Sequence, residues 1–317
     1  MAFSAAESPR LDVPRIYQHP LAYLLGLEGI ALLRAFAGEY DREFTQARLR
    51  EIRALLDAAD ELGDGVEETP MTMQEGYAQW APFYDEPGNE LLEVEEPVVR
   101  EILDALPVGA ALDAACGTGR HAAYLAALGH TVIGVDATPE MLAVAREKVP
   151  AAELHEADLC DLPLLDNSVD LVVCGIALSH VSDLAPVFAE LVRVLRPNGH
   201  LVLSDSRGLI GDIGLPLART RPDGTSGYIP VWSRLASDYI SAALPLGLEL
   251  RRCEELRRTT PLVDATGASV ADGFAPEHVA GWAPNIWALH RFAPDATNAA
   301  YRDRPHAIVL HFQRSVG

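Results

Sequence analysis

Residues 109–120 read Gly-Ala-Ala-Leu-Asp-Ala-Ala-Cys-Gly-Thr-Gly-Arg. An apolar run that contains Asp113 leads into a turn at Gly117 and Gly119, and a helical pattern follows directly. The stretch therefore predicts a strand, a tight turn and a helix. The first turn of a helix has unpaired N–H groups and a partial positive charge, and glycine lets a ligand approach the backbone closely. This arrangement favours the polar end of a nucleotide-type ligand.

Strand and helix patterns alternate after this turn, which indicates a parallel sheet covered on both faces. We expect strands at 110–115, 131–136, 152–157, 169–175, 200–205 and 306–313. We expect helices at 97–106, 120–128, 139–148 and 183–195, the first of them beginning at Pro97. The segment Leu195–Gly199 reads as a helix end followed by a turn.

The flanking segments are less regular. Apolar stripes at helical spacing predict two helices within 20–60, and the Gly- and Asp-rich residues 63–70 read as a linker. Residues 207–230 read as a loop, 233–243 as a helix, 248–255 as a strand and 260–304 as irregular. We expect a helical N-terminal extension over 1–70, which serves packing, dimerisation or a lid. The main domain would then cover 71–317, with a substrate-side insertion around 207–232 and 260–304.

Composition narrows the class of partner. The 317 residues are 49% hydrophobic, and the formal net charge is −21. That charge argues against nucleic acid as a partner, because binding to phosphates depends on Lys and Arg. It also argues against binding to an anionic membrane surface. No stretch is apolar enough to span a bilayer, and the beginning of the chain has no secretory pattern. The four cysteines form no Cys-x-x-Cys pair, so we expect free thiols in the cytoplasm.

Four aspartates fall at or near predicted strand ends, namely Asp113, Asp136, Asp158 and Asp205. In a doubly wound sheet the carboxyl ends of the strands form the ligand site. Asp136 follows the glycine turn by about 20 residues, the distance at which a carboxylate accepts from ribose hydroxyls. Asp158 is placed to accept from an adenine amino group.

Other residues near these strand ends also predict ligand contacts. The N–H of Leu159 is placed to donate to an adenine ring. Met141 is a candidate for packing on the adenine face, or else a core residue. The same turn fits the Gly-x-Gly-x-x-Ala fingerprint over Gly117–Ala122, so a nicotinamide oxidoreductase is an alternative.

Four motifs in order resemble those of class I S-adenosylmethionine-dependent methyltransferases, in the small-molecule branch similar to quinone-biosynthesis enzymes. They are Asp-Ala-Ala-Cys-Gly-Thr-Gly at 113–119, Gly-Val-Asp-Ala-Thr-Pro-Glu-Met-Leu at 134–142, Ala-Asp-Leu at 157–159 and Leu-Arg-Pro-Asn-Gly at 195–199. The resemblance covers roughly 75–206 and implies a Rossmann-like seven-stranded α/β sheet with a reversed last strand. Ala115 departs from the glycine usual in the family.

The resemblance implies S-adenosylmethionine as cofactor and S-adenosylhomocysteine as product. It implies cofactor contacts around the methionine moiety, the ribose and the adenine, from Tyr77, Asp113, Ala115, Cys116, Gly117, Gly119, Asp136, Ala137, Met141, Asp158, Leu159, Cys174 and Gly175. Cys174 and Gly175 would border the methyl group. Tyr77 belongs to an aromatic-rich segment with Trp80 and Tyr84 that suits a cover on a ligand.

Methyl transfer from a sulfonium is an in-line displacement that needs alignment and exclusion of water. A base is needed only where the nucleophile loses a proton. His180, in Ala-Leu-Ser-His after the fourth strand, is the candidate base, or else a structural histidine. We expect a small-molecule acceptor, with oxygen favoured over nitrogen or carbon. A protein that binds the cofactor without methylating is a further alternative. Asp205 with Asp183 or Asp212 has no specific metal-ligand spacing, so we expect no metal.

Overall fold

The computed structural model describes residues 15–220, 225–269 and 278–316. Its main sheet has seven strands in the order β10-β11-β7-β6-β3-β4-β5. These strands are β3 (Ala110–Ala114), β4 (Thr131–Asp136), β5 (Glu153–Glu156), β6 (Val169–Gly175), β7 (Leu195–Ser206), β10 (Leu248–Arg257) and β11 (Pro305–Arg314). The strands from β3 to β7 pair in parallel, and β11 pairs antiparallel with both of its neighbours. The predicted seven-stranded α/β fold with a reversed last strand is confirmed.

Twelve α-helices accompany the strands in the described residues. They are α1 (Pro20–Phe36), α2 (Arg42–Asp57), α3 (Ala59–Leu62), α4 (Met73–Trp80), α5 (Glu90–Asp104), α6 (Arg120–Ala127), α7 (Pro139–Lys148), α8 (Leu184–Val194), α9 (Gly208–Ile213), α10 (Ala236–Ala243), α11 (Ile286–Leu289) and α12 (Pro294–Tyr301). No helix in this part of the chain is long and apolar enough to cross a membrane.

The central strands are apolar on both faces because helices cover both sides of the sheet. Val172 and Cys174 pack with α8 and α10, whereas Leu171 and Val173 pack with α5 and α6. Successive residues of β6 thus enter different cores, as the two-residue period of a strand requires. The carboxyl ends of β3, β4 and β6 are thereby held side by side at one edge.

Two predicted boundaries need correction. Pro97 does not begin a helix but lies inside α5, which starts seven residues earlier. The segment after α8 enters β7 directly at Leu195, where the sequence predicts a turn. The pairing of β6 with β7 is irregular at this point. Val169 pairs with Leu195, while Leu171, only two residues later, pairs with His200. Asn198 in this stretch has a left-handed φ of 64°, a conformation that Asn tolerates.

A second, four-stranded sheet was missed by the sequence patterns. It has the order β1-β2-β9-β8, from β1 (Ile16–Gln18), β2 (Val66–Pro70), β8 (Leu217–Thr220) and β9 (Ser226–Ile229). The linker predicted at 63–70 is therefore mostly a strand, and the loop predicted at 207–230 contains α9 and two strands. Likewise 260–304, predicted as irregular, contains α11 and α12 besides residues that lie outside the described part.

The two helices predicted within 20–60 are present as α1 and α2. They share an apolar core with α12, formed among others by Leu24 and Leu27 of α1, Leu55 of α2 and Ala296 of α12. The N-terminal helices therefore pack on α12, and β2 pairs with β9 in the second sheet.

Candidate functional site

The turn after β3 is shaped by three left-handed residues. Ala115, Gly117 and Gly119 have φ of 58°, 53° and 83°, and Gly119 caps α6. The Cys116 N–H donates to the Val135 carbonyl at 2.9 Å, which ties the turn to β4. A Cβ placed on Gly117 would meet nothing within 4 Å, so the turn borders open space. The glycine turn therefore lies where the sequence predicts it.

Asp113 lies at the end of β3 and is 1% exposed. Its Oδ2 accepts from the Ala122 N–H at 2.7 Å, which fixes the first turn of α6. Its Oδ1 is buried and has no hydrogen-bond partner in the described residues. Burial raises the pKa of this carboxyl, although the nearby His121 opposes the shift. Asp113 therefore joins β3 to α6 and keeps one acceptor oxygen.

Asp136 ends β4 beside the glycine turn. Its two oxygens accept from the N–H groups of Gly117 and Thr138, each at 2.8 Å. Its pKa is raised by burial, against the opposing effect of these hydrogen bonds. The backbone carbonyl of Asp136 accepts from the Ala157 N–H at 3.1 Å. This bond brings the predicted adenine-side residue Asp158 next to the predicted ribose-side carboxylate.

The predicted adenine-side residues differ in exposure. Asp158 is exposed, and its Oδ1 accepts from the Cys160 N–H at 2.7 Å, while Leu159 and Ala137 are half-buried. Met141, in contrast, is only 1% exposed. Its side chain therefore lies in the core. The sequence position allows either a core residue or a contact with the adenine face, and the structure shows the former packing.

A buried ionic cluster lies next to the turn, and the sequence patterns do not predict it. Glu95 of α5 is fully buried and accepts from Arg120 at 2.6 Å, from His121 at 3.1 Å and from the Ser204 hydroxyl at 2.6 Å. A Cβ on Gly175 would lie 2.5 Å from His121 Nε2, so glycine is required at the end of β6. The neighbouring Cys174 is fully buried.

The aromatic segment at 77–84 lies beside the turn. The Tyr77, Trp80 and Tyr84 rings pack on one another with centroids 5.3–6.1 Å apart. The following residue, Asp85, accepts from the Thr118 hydroxyl at 2.8 Å and pairs with Lys148 at 2.6 Å. This residue therefore fastens the segment to the glycine turn and to α7.

His180 ends a short 3-10 helix, Leu178–His180, five residues beyond Gly175. Ile176, between them, has a left-handed φ of 53°, which is strained for a β-branched residue. His180 Nδ1 is 2.9 Å from the Pro230 carbonyl, and its Nε2 is 3.0 Å from the Tyr77 hydroxyl. The predicted base and the predicted cofactor contact Tyr77 are thus direct neighbours.

The carboxylates considered for a metal serve other purposes. Asp205 is buried and accepts from Tyr239 at 2.8 Å and from the Ser206 N–H at 2.7 Å. Asp183 caps α8, and Asp212 pairs with Arg207 at 3.0 Å. Within the described ranges, no group of three or more His, Cys, Asp or Glu side chains is arranged to hold a metal ion.

Residues 112–203 match the family model described as a methyltransferase domain. The strand order and the glycine turn around these residues agree with a class I S-adenosylmethionine-dependent methyltransferase domain. S-adenosylmethionine is the cofactor of this class.

Two curated relatives and one solved structure illustrate the similarity. The chain is 41% identical over 114 residues to a 37.1 kDa protein in transposon TN4556 of Streptomyces fradiae, which covers 34% of this chain and 33% of that protein. It is 33% identical over 144 residues to demethylmenaquinone methyltransferase of Listeria welshimeri, which covers 43% and 53%. The matches thus span a third to about half of the relatives' length. The [4+2]-cyclase SpnF shares the fold, with a TM-score of 0.52 at 18% identity, over 79% of this chain and 98% of that one.

Proposed function

We propose that this chain binds S-adenosylmethionine and transfers its methyl group to an oxygen of a small-molecule acceptor, releasing S-adenosylhomocysteine. The observation that carries the proposal is the joint placement of Asp113, Gly117 and Asp136 at one sheet edge. The turn there borders open space, and Asp113 Oδ1 is a buried acceptor without a hydrogen-bond partner among the described residues. A ligand with an ammonium group and a ribose suits such acceptors, because buried carboxylate oxygens gain from donors.

The proposed cofactor site follows the strand ends. Asp113, Ala115, Cys116, Gly117 and Gly119 would surround the methionine moiety, where backbone N–H groups at the start of α6 suit its carboxylate. Asp136 and Ala137 would bind the ribose, and Met141, Asp158 and Leu159 would border the adenine. Tyr77, Cys174 and Gly175 would border the methyl group. Met141 is 1% exposed here, so its proposed contact with the adenine requires that cofactor binding uncovers part of its side chain.

The bound cofactor supplies an electrophilic methyl group on a positively charged sulfur. The protein then has to align the acceptor in line with that group and to exclude water. The aromatic segment beside the turn suits both tasks, because Asp85 fastens it to Thr118 and Lys148. We assign proton removal from the acceptor to the site around His180, which lies just beyond the end of β6.

A small and largely apolar acceptor is supported by the surroundings. Tyr77 and Trp80 pack on an apolar cluster that contains Met71, Ile229 and Trp287. Demethylmenaquinone methyltransferases among the relatives point the same way. The net charge of −21 favours such an acceptor over nucleic acid.

We further propose a cytoplasmic location and a homodimer contact through α1, on which Leu33 and Phe36 are 70% and 93% exposed.

The test is calorimetric titration with S-adenosylmethionine and with NAD, followed by measurement of S-adenosylhomocysteine and of methylated product in a screen of phenols, carboxylic acids and amines. We expect binding of S-adenosylmethionine only, and the two products in equal amounts. Binding of NAD instead would favour the oxidoreductase. Tight binding of S-adenosylmethionine with no product from any acceptor class would favour a non-methylating protein. His180→Ala should lower turnover while cofactor affinity stays nearly unchanged, and an equal loss of both would make the residue structural.

A further inference from the structure

The His180 imidazole is held at both ring nitrogens. Nδ1 lies 2.9 Å from the Pro230 carbonyl oxygen, and Nε2 lies 3.0 Å from the Tyr77 hydroxyl. A carbonyl oxygen can only accept, so Nδ1 carries the hydrogen. In the neutral ring Nε2 then has one lone pair, which accepts from the Tyr77 hydroxyl. The nitrogen that a base would use is therefore occupied by a phenol.

We infer that Tyr77 and His180 form a proton relay, in which the Tyr77 oxygen receives the proton of the acceptor and passes its own proton to His180 Nε2. The inference rests on the proposed transfer to an oxygen acceptor and assigns the contact with the reacting hydroxyl to Tyr77. Tyr77 is then the catalytic residue, and His180 is a positioning residue that acts through it.

Atoms and charges balance in this step. The bond between the acceptor oxygen and the methyl carbon forms while the carbon–sulfur bond breaks, so the positive charge on sulfur is lost. The acceptor proton moves to the Tyr77 oxygen as the Tyr77 proton moves to His180 Nε2. The product is an imidazolium that donates to Pro230 and to Tyr77, and solvent removes its extra proton before the next cycle. The phenol is neutral before and after, so no buried phenolate has to persist.

The surroundings hold both partners in place. The Tyr77 ring meets the His180 ring edge-on at 5.6 Å and lies 5.7 Å from Trp80. The Trp232 N–H donates to the Ser179 carbonyl at 2.7 Å, which ties the segment after β9 to the residue before His180. The Pro230 carbonyl, two residues from Trp232, is thereby fixed against Nδ1. Such a support keeps the tautomer that a relay needs.

The pair is also close to the cofactor side of the sheet. The Tyr84 ring lies 6.1 Å from the Tyr77 ring, and the next residue, Asp85, accepts from the Thr118 hydroxyl in the turn at 2.8 Å. The aromatic segment therefore extends from His180 to the glycine turn.

A relay and a direct base predict opposite results for one variant. If His180 acted directly, Tyr77→Phe would free Nε2 and turnover would stay equal or rise. In a relay the same variant removes the atom that receives the proton, so turnover falls by at least about tenfold, within the range that general acid–base groups contribute. Affinity for S-adenosylhomocysteine should change by less than about threefold, since no charge is lost.

The kinetic experiment uses the full chain with S-adenosylmethionine and catechol as the phenolic probe. Tyr124→Phe is the matched control, because it removes a tyrosine hydroxyl that donates to Asp104 at 2.6 Å, away from His180. His180→Gln keeps an amide oxygen that can accept from Tyr77 but takes up no proton, so the acid limb of the pH–rate profile should disappear. Turnover of Tyr77→Phe at or above the wild-type value overturns the relay.

A second measurement needs no turnover. In the full chain labelled with ¹⁵N-histidine and saturated with S-adenosylhomocysteine, His180 is assigned as the signal lost in His180→Gln. We expect a protonated Nδ1 and an accepting Nε2, and Tyr77→Phe should shift the Nε2 signal while Tyr124→Phe leaves it unchanged. An Nε2 signal that does not respond to Tyr77→Phe overturns the relay. Absence of methylated product from any acceptor, with this response intact, would instead contradict the proposed function.

Discussion

The Asp136 carboxylate accepts a 2.8 Å hydrogen bond from the backbone N–H of Gly117. Its other oxygen accepts at 2.8 Å from the N–H of Thr138, at the start of α7. One side chain thus holds the glycine turn after β3 and the first turn of the next helix. Each carboxylate oxygen has a further lone pair, so ribose hydroxyls can donate to the same group without displacing the backbone.

Asp136→Ala should weaken binding of S-adenosylmethionine by more than about tenfold, because the half-buried acceptor proposed for the two ribose hydroxyls is lost. It should also lower the free energy of unfolding by about 1–3 kcal/mol, since two N–H groups lose their partner. Asp136→Asn keeps one acceptor oxygen and should lose less of both. Calorimetry and urea denaturation measure the two effects. Unchanged affinity in the alanine variant would contradict the proposed cofactor site.

Ala115→Gly should raise the free energy of unfolding slightly. Ala115 has a φ of 58°, and a left-handed conformation costs a residue with a Cβ about 1–2 kcal/mol. The greater freedom of glycine in the unfolded chain offsets about 0.4–1 kcal/mol of that gain. The control is Ala114→Gly, in the buried end of β3, which should destabilise. A loss of stability in Ala115→Gly comparable to that of the control would contradict the strain argument.

The main sheet was predictable because its strands are coded locally. The apolar runs at 131–136 and 169–175 have the bounds that the structure shows, since strands buried on both faces need continuous apolar residues. The second sheet was not predictable in this way. β2 reads Val-Glu-Glu-Thr-Pro, with no apolar alternation, and it pairs with β9, which lies more than 150 residues later in the chain. Such pairing depends on tertiary contacts and leaves no local pattern.

The residues of the candidate site likewise fall into those that the sequence predicts and those that it does not. Asp113 and Asp136 were predictable from their positions at strand ends beside a glycine turn. The Glu95 cluster was not, because the sequence cannot show that a residue of α5 will meet Ser204 of β7 across the core. The contact between Tyr77 and His180 likewise joins segments 103 residues apart. Sequence patterns thus indicated which strand ends hold the candidate site, while the contacts of its other residues depend on packing between distant elements.

Glu95→Gln should destabilise the fold by up to about 3–5 kcal/mol, because the largely buried Arg120 would lose its nearer carboxylate and keep only Glu96, at 3.4 Å. Burial alone raises the pKa of Glu95, but His121 and Arg120 outweigh it and lower the pKa from 4.5 to about 2. The carboxylate therefore stabilises the fold at pH values above 4.5, and this contribution is lost as the pH falls towards 2. Between pH 2 and 4.5 the free energy of unfolding, measured by urea denaturation, should therefore depend less on pH in Glu95→Gln than in the wild type.

The matched control for this experiment is Glu101→Gln, which removes a carboxylate of the same helix whose side chain is 67% exposed. Its pairing with Arg252 is at the surface, so the change in stability should stay within about 1 kcal/mol. An equal, small effect of both substitutions would show that the buried cluster contributes nothing beyond a surface ion pair.

Asp85→Asn should speed the release of S-adenosylhomocysteine by about two- to fivefold, the effect of losing a partly exposed ion pair. Asp85 links the aromatic segment to the Thr118 hydroxyl and to Lys148, so it holds that segment beside the turn. The amide can still accept from Thr118 but loses the charge, so the difference should shrink at high salt. Stopped-flow release rates at two salt concentrations measure this.

Asp166→Asn, which breaks the surface pair with Arg193, is the control and should leave the rate unchanged. If both variants release at the wild-type rate, Asp85 does not restrain the segment during cofactor exchange.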